Sequence, residues 1–314
     1  MGSTRIPLRR VLILAVSFIV LLPPLLVFVQ WVCNGMDRKG GNLADSDLQR
    51  DPPSAWIKTM TLRVLTFNIW DLYLVSGNRI QRMQEIGRVL AEMDPDIVGF
   101  QEAFIAGDRQ ILIDAMSGTR LKHHAYFPSG VVGSGLLISS AWPIRETFFR
   151  RFTHSGPWWR LTEGDWWAGK GVALARIETP AGIIDFFNTH AQAAKGRPEY
   201  VALRREQMQE IVGFMTEARL PGAPALLVGD INCRVNSQEY NALVETGQLH
   251  RAMTIDSSID HIFAATSGGP DVLPIASSRI EETINRNGNV ITLSDHPGYL
   301  SVLRIANTEK ESAR

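Results

Sequence analysis

Six apolar runs in this chain end on, or open with, a residue that can hold a metal or move a proton. Asn68 ends LRVLTFN, Glu102 ends IVGFQE, and His190 follows IIDFFNT. Asp230 and Asn232 follow ALLVG, Asp260 and His261 lie in IDHIF, and Asp295 and His296 precede YLSVLRI. A lone Gly-Asp-x-Asn is ordinarily a turn, because Asp and Asn bond their own backbone. Six such residues closing apolar runs point instead to one crevice, since strand ends on one sheet edge are where open α/β sheets bind ligands.

The residue types suit metal-assisted hydrolysis of a phosphoester. Mg²⁺ takes oxygen ligands, keeps several waters and is held by one or two carboxylates with substrate phosphate. Glu102 is the first choice of ligand, joined by Asn68 through its amide oxygen and by Asp295. Mn²⁺ or Co²⁺ would suit the same oxygens. Asp230 and Asn232 alternate along a short extended segment, so both are expected to face one pocket. There Asp230 would accept the proton of an attacking water and Asn232 would donate to a phosphate oxygen. His296 is the natural general acid or base, with Asp260 orienting its ring. His190 would donate to the phosphate as charge builds. Lys170, between Gly169 and Gly171, could reach the same phosphate, although a solvated loop lysine is the plainer reading. The Trp158-Trp159 and Trp166-Trp167 pairs lie in a Gly-rich stretch. Trp166 and Trp167 are candidates for holding a quaternary ammonium, with ordinary aromatic packing as the alternative.

Those residues need strands to carry them. Alternation predicts strands at 62–68, 97–102, 135–139, 171–177, 183–189, 225–229, 259–263 and 299–305. Helical spacing of Ile80, Met83, Ile86, Val89, Leu90 and Met93 predicts a helix over Arg79–Met93. A longer one over Tyr200–Ala218 stops before Pro221-Gly222. Several strands follow one another without a helix between, so the expectation is a layered α/β domain with mixed sheets.

The chain has 314 residues, and no linker divides its C-terminal three quarters, so one domain is expected over 61–305 with a tail at 306–314. Lys plus Arg and Asp plus Glu are both 32, which gives no support for the basic face that a duplex-binding enzyme carries. No nucleic-acid partner is therefore expected. Residues 11–32 read VLILAVSFIVLLPPLLVFVQWV without a charge, after Arg5, Arg9 and Arg10. Roughly 20 such residues cross a bilayer, and the preceding arginines favour a cytoplasmic N-terminus. The expectation is a cytoplasmic segment at 1–10 and a transmembrane signal-anchor at 11–32. The catalytic domain would then lie outside the cytoplasm, with a cleaved leader as the alternative. Residues 33–60 are polar and rich in Gly, Asp and Pro, and are expected to be a flexible tether. Cys33 and Cys233 are read as free thiols.

These marks together resemble the DNase I-like endonuclease/exonuclease/phosphatase superfamily: Asn68 in LTFNIW, Gln101-Glu102, Gly229-Asp230-x-Asn232, Ile259-Asp260 and Ser294-Asp295-His296. The resemblance spans about 61–305 and implies a four-layer α/β sandwich and Mg²⁺-dependent phosphoester hydrolysis with water as nucleophile. Within the superfamily, Gly133–Leu136 with Pro143-Ile144, Asp165–Lys170, Thr189–Ala193 and Tyr200–Arg205 are most similar to neutral sphingomyelinase. His261 stands where that family often has Tyr, and a structural substitute is the favoured reading. The resemblance implies a monomeric phospholipid phosphodiesterase acting at a lipid bilayer. A nuclease or phosphomonoesterase on the same fold is the first alternative, and a binding protein without activity the second.

Overall fold

The computed structural model describes residues 43–51 and 58–306, apart from positions 74, 161–162, 194, 282 and 287–288. The expected signal-anchor, the segment before it, Cys33 and residues 307–314 lie outside the described residues. No helix among the described residues is long and apolar enough to cross a membrane.

The strands are β1 (Met60–Asp71), β2 (Ile97–Ala103), β3 (His123–Tyr126), β4 (Leu137–Ser140) and β5 (Ile144–Arg151). They continue with β6 (Gly171–Thr179), β7 (Gly182–His190), β8 (Ala225–Asp230), β9 (Leu249–Arg251) and β10 (Asp260–Ala265). The last are β11 (Asp271–Ile280), β12 (Thr283–Arg286), β13 (Asn289–Thr292) and β14 (Gly298–Ala306). The helices are α1 (Asp47–Arg50), α2 (Arg79–Met93), α3 (Ala106–Ala115), α4 (Asp165–Ala168), α5 (Glu199–Ala218) and α6 (Gln238–Gly247).

Two six-stranded sheets form, one in the order β11-β14-β1-β2-β4-β3 and the other β5-β6-β7-β8-β10-β9. Each is mixed: β1–β2 and β7–β8 are parallel, and the remaining neighbours antiparallel. Side chains of a strand alternate between faces, and the central strands have both faces covered. In β1, Leu62 and Val64 pack between the sheets with Phe186, Leu226 and Val228. Leu65 and Phe67 point the other way, onto Met83, Ile86 and Leu90 of α2. Leu227 and Phe263 of the second sheet meet Met208, Ile211 and Met215 of α5. The layers run helix, sheet, sheet, helix, as the expected α/β sandwich requires. Burial on both faces explains why these strands read as nearly continuous apolar runs.

The sheets come close together at Gly99. A Cβ there would stand 2.5 Å from Cγ2 of Val228, so only glycine fits. Two residues on, Gln101 Nε2 donates to Asn188 Oδ1 (2.7 Å), and Asn188 Nδ2 returns to the Phe100 carbonyl (2.9 Å). This amide clasp is fully buried and joins β2 to β7 across the core.

Part of the stretch assigned to a tether is docked instead. Residues 43–51 form a single 3₁₀ turn (Leu43–Asp45) and α1, capped by the Ser46 hydroxyl accepting from Gln49 N–H (3.0 Å). Ser46 is buried, donates to Glu146 Oε2 (2.8 Å) and accepts from the Arg176 guanidinium. Arg176 in turn pairs with Glu146 (2.5 Å) and Asp185 (3.3 Å) and donates to the Ala218 carbonyl (2.6 Å). Gln49 Nε2 reaches the Glu217 carbonyl (2.8 Å), and Leu48 packs on Ile183, Leu220 and Ala223. Composition suggested a tether because the segment is short and polar. It docks because its few partners are a buried arginine and the end of a helix, which composition does not register.

Candidate active site

Asp230 closes β8 and Asp260 opens β10, and the antiparallel register sets them opposite each other. His190, the last residue of β7, lies beside Asp230 in the parallel register. Asn68 and Glu102 come from the other sheet, where Asn68 of β1 is beside Gln101 of β2. His296 arrives on the turn before β14. The site therefore straddles the edge where both sheets end.

Side chains from both sheets meet there. His296 Nδ1 is 3.0 Å from Asp260 Oδ2 and 3.8 Å from Asp230 Oδ2. Asn68 Nδ2 donates to Glu102 Oε1 (3.3 Å) and Asp230 Oδ2 (3.2 Å). His190 Nε2 lies 3.5 Å from Asp230 Oδ2 and 3.9 Å from Glu102 Oε1. The Asp–His pair expected of Asp260 and His296 is thus formed.

Burial dominates the electrostatics. It pushes the Asp230 carboxyl up to about 7, with the Asp260 charge adding to the rise and His296 and Lys170 opposing it. It raises Glu102 and Asp260 as well. Burial also pulls His296 down, but the Asp260 hydrogen bond and the charges of Asp260, Asp230 and Asp295 outweigh it and hold the ring up near 9. His190 moves the other way, well below an ordinary imidazole, through burial and then the Lys170 charge.

A cation fits this donor set. Glu102 Oε2 is buried without a hydrogen-bond partner, which is costly for a carboxylate unless something positive completes it. Glu102 also holds a left-handed backbone (φ 57°), strained for a side chain of its size and of the kind that collects at functional sites. Asp230, Asp260 and His296 bring ligand atoms within 4.8 Å of one another, a second grouping able to hold a metal. A cation there would compete with the His296–Asp260 hydrogen bond, so Glu102 is the better-fitting ligand.

Several expected roles change in detail. The Asn68 amide oxygen accepts from Trp70 N–H (3.1 Å), so its NH₂ faces the carboxylates and it acts as a donor, not an oxygen ligand. Asp295 is exposed, and among the described residues it accepts from the Ser294 hydroxyl (3.4 Å); it acts on the cluster through its charge. Asn232 does not continue the strand. Its φ is 53°, its N–H donates to Asp230 Oδ1 (2.9 Å), and Nδ2 donates to the Ala191 carbonyl (3.1 Å). A turn bonded to Asp230, not strand alternation, keeps it at the site.

Lys170 is buried and its three N–H donors are all engaged: Asp165 (2.5 Å), His190 Nε2 (2.9 Å) and the Ala191 carbonyl (2.9 Å). An ammonium only donates, so His190 Nε2 accepts and Lys170 has no N–H left for a phosphate, while the ring proton of His190 sits on Nδ1, which is buried without a hydrogen-bond partner among the described residues. His261 donates through Nε2 to the Cys233 carbonyl (2.9 Å) and accepts from Ser257 Oγ at Nδ1 (2.9 Å). Burial holds it down at about 4. Both ring nitrogens are thus engaged within the chain. Cys233 is a buried free thiol.

The two Trp pairs differ. Trp158 and Trp159 are 56% and 64% exposed. Trp166 and Trp167 are half-buried: Arg151 already lies over the Trp166 ring at 5.5 Å, and Trp167 Nε1 donates to the Trp158 carbonyl (3.0 Å). The second pair braces the first. Sequence reasoning passed over Asp165, Gln192 and Arg82. Gln192 Nε2 holds Asp165 Oδ2 (2.5 Å) and so supports Lys170. Arg82 donates to the carbonyls of Ile69 (2.7 Å), Trp70 (2.8 Å) and Leu293 (2.8 Å), tying the Asn68 strand to the Ser294–His296 turn. Its signal was there, an arginine within the apolar stripe of α2.

Residues 65–296 match the model of the Endonuclease/Exonuclease/phosphatase family. Among relatives, an inositol phosphosphingolipids phospholipase C of Schizosaccharomyces pombe is 34% identical over 62% of this chain and 46% of its own length. Sphingomyelin phosphodiesterase 2 of Mus musculus is 31% identical over 62% of this chain and 46% of its own. The chain thus spans about half the length of these relatives. Among solved structures, a beta toxin of Staphylococcus aureus with bound magnesium ions superposes with a TM-score of 0.62 at 17% identity. That likeness covers 79% of this chain and all of the toxin, and concerns the fold.

Proposed function

The chain belongs to the Endonuclease/Exonuclease/phosphatase family, and on that premise we propose that it is a Mg²⁺-dependent phosphodiesterase of sphingomyelin or a related phospholipid. It would release a phosphorylated head group and a ceramide-like lipid. The observation that carries the reading is the partnerless, buried Glu102 oxygen beside the Asp230–Asp260–His296 cluster. The names of the two relatives favour a sphingolipid over DNA, and the bound ions of the toxin favour magnesium.

Glu102 would hold the cation, which when bound offsets the charge that builds on the phosphoryl oxygens. Asp230, with its carboxyl raised toward neutrality, is suited to take the proton of an attacking water. The water oxygen forms a bond to phosphorus as the bond to the lipid oxygen breaks. His296 in its cationic form can return a proton to that leaving oxygen through Nε2, while Asp260 fixes the ring through Nδ1. One Nδ2 hydrogen of Asn232 is held by Ala191, and the other, with no partner among the described residues, would meet a phosphoryl oxygen. Trp158 and Trp159 would touch the bilayer, as tryptophans at a polar–apolar boundary do. Residues 11–32 would anchor the chain, with the domain outside the cytoplasm, on the strength of their uncharged run and the arginines before it.

The test is turnover with and without chelator on vesicles of sphingomyelin, phosphatidylcholine or lysophospholipid, and on DNA. Metal-dependent release of a phosphorylated head group from sphingomyelin is expected. DNA cleaved faster than any lipid would overturn the lipid reading in favour of a nuclease.

A further inference from the structure

Glu102 faces the wrong way for an ordinary strand residue. Gln101 points between the sheets to Asn188, and Phe100 points onto Met83, Ile86 and Leu90 of α2. Strict alternation would put Glu102 on the Phe100 face, against the helix. Its carboxylate instead meets Asn68, which bridges it to Asp230 of the second sheet. The left-handed φ of 57° makes that turn. On β1, Asn68 is beside Gln101 and Asp71 beside Ala103, so Ile69 and Trp70 stand against Glu102 alone. Trp70 is left-handed as well (φ 50°). Bulges of this kind re-aim side chains next to active sites.

A strained φ persists only where its surroundings over-determine it. Arg82 holds the β1 side through the Ile69 and Trp70 carbonyls. On the β2 side, Arg109 of α3 donates through Nη1 to the carbonyls of Ala103 (2.8 Å) and Phe104 (2.8 Å), the two residues that follow Glu102. Its guanidinium is buried, 3.5 Å over the Tyr126 ring. Asp71, fully buried, reaches across from β1, and its Oδ2 accepts the Ile105 N–H (3.0 Å). Its Oδ1 stands 3.7 Å from Arg79 Nε, which bonds Asp108 Oδ2 (2.7 Å). These contacts grip the backbone after Glu102, not the carboxylates of the site.

Resting on the reading of Glu102 as metal ligand, we propose that Arg109 and Asp71 are positioning residues for it. They fix the peptide planes from Ala103 to Ile105, and so keep Glu102 turned from the helix face to the site. Without Arg109 the two buried carbonyls lose their donors and those planes can turn. Glu102 then relaxes towards ordinary strand geometry, and its carboxylate moves off the Asn68–Asp230 side.

The test is calorimetric titration of the full chain with Mg²⁺, without substrate. Arg109→Met removes the donors at similar length. It should weaken Mg²⁺ binding by about 10–100-fold, the usual loss when the group orienting a metal ligand goes. Turnover should fall with it and recover in part at high Mg²⁺, with KM for lipid unchanged. Asp71→Ala should act likewise, whereas Asp71→Asn, whose amide oxygen can still accept from Ile105, should bind nearly as the parent does. In a Glu102→Gln background, Arg109→Met should cost no further turnover, because its effect runs through that carboxylate. Parental Mg²⁺ affinity in an Arg109→Met chain that merely melts earlier overturns the inference. If that variant does not fold, equal affinity in Asp71→Ala and Asp71→Asn overturns it instead. A parent that binds no Mg²⁺, or a Glu102→Gln chain that binds it as the parent does, overturns the metal reading itself.

Discussion

The second sheet carries a buried charge cluster at each end, and the two are finished differently. At one end Arg176 answers Asp185, Glu146, Ser46 and the Ala218 carbonyl; Arg176 Nε and Asp185 Oδ1 lack a hydrogen bond but lie 3.3 Å apart as an ion pair, so each negative group has a cation in contact. At the other end, five residues along β7 and roughly 17 Å away at 3.3 Å per residue, three carboxylates gather around two imidazoles, of which His190 already accepts from Lys170. There Glu102 Oε2 and Asp260 Oδ1 go unpaired and Glu102 and Asn232 hold left-handed backbones. The first cluster closes on itself and can serve only the fold. The second stays open, and an open cluster can bind and release.

That contrast can be broken from the catalytic side first. Glu102→Gln keeps the shape and removes the charge, and should lower turnover by roughly 10⁴-fold or more, since a bound cation supplies several kcal/mol. Near-parental rates in chelator would rule the metal out. His296→Ala should cost about 10²–10⁴-fold, as loss of a positioned acid or base does. Asp260→Asn should follow in the same direction with a smaller loss. A His296→Ala enzyme as fast as the parent would remove that residue from the chemistry.

The other end should respond in stability alone. Arg176→Met leaves the buried Asp185 and the part-buried Glu146 without their cation and should cost about 3–5 kcal/mol, read by chemical denaturation. Turnover per folded molecule should stay at the parental value; a loss there as large as in Glu102→Gln would mean the two clusters are not separable.

His261 lies between these extremes and sharpens the comparison. His261→Phe keeps the ring and leaves the Cys233 carbonyl unpaired, a cost of about 1–3 kcal/mol. Because that carbonyl follows the strained Asn232, kcat should fall by roughly tenfold, one such hydrogen bond's worth. The loss should vanish in an Asn232→Ala background, and additive losses would deny the link. Stability against pH gives the smallest effect. His261 is held near 4 when folded, below the ~6.5 of an unfolded histidine, so the unfolded chain gains the proton first. The parent should lose stability relative to His261→Phe as pH falls from about 6.5 towards 4, and parallel denaturation curves would contradict it.

Periodicity was legible wherever burial was complete. Helix α2 runs from Arg79 to Met93 as its stripe predicts, and the eight predicted strands all appear, most extended by one to three residues at an end, with 135–139 starting later at Leu137 and 259–263 at Asp260. The strands that escaped notice are half-exposed or at an edge: β5 buries only Phe148, and β11 alternates irregularly around the Pro274 bulge. Within the site, Asp230, Asp260, His296 and Glu102 were legible because each closes or opens a buried strand or precedes one. The directions of the Asn68 amide and the Lys170 ammonium were not. Those depend on which neighbour claims each hydrogen, Trp70 in one case and Asp165 in the other.

The close contact at Gly99 gives the chain a calliper. Glu102 and Asp230 belong to different sheets, and the gap between their jaws is set where β2 rests on Val228 and where Gln101 grips Asn188. A methyl group at position 99 would act as a shim, forcing the jaws apart by a fraction of an ångström. Such a shim leaves every catalytic side chain in place on its own strand, yet misaligns the pair that Asn68 now bridges. Warming should do the same by degrees, so activity should fade before either sheet loses its strands.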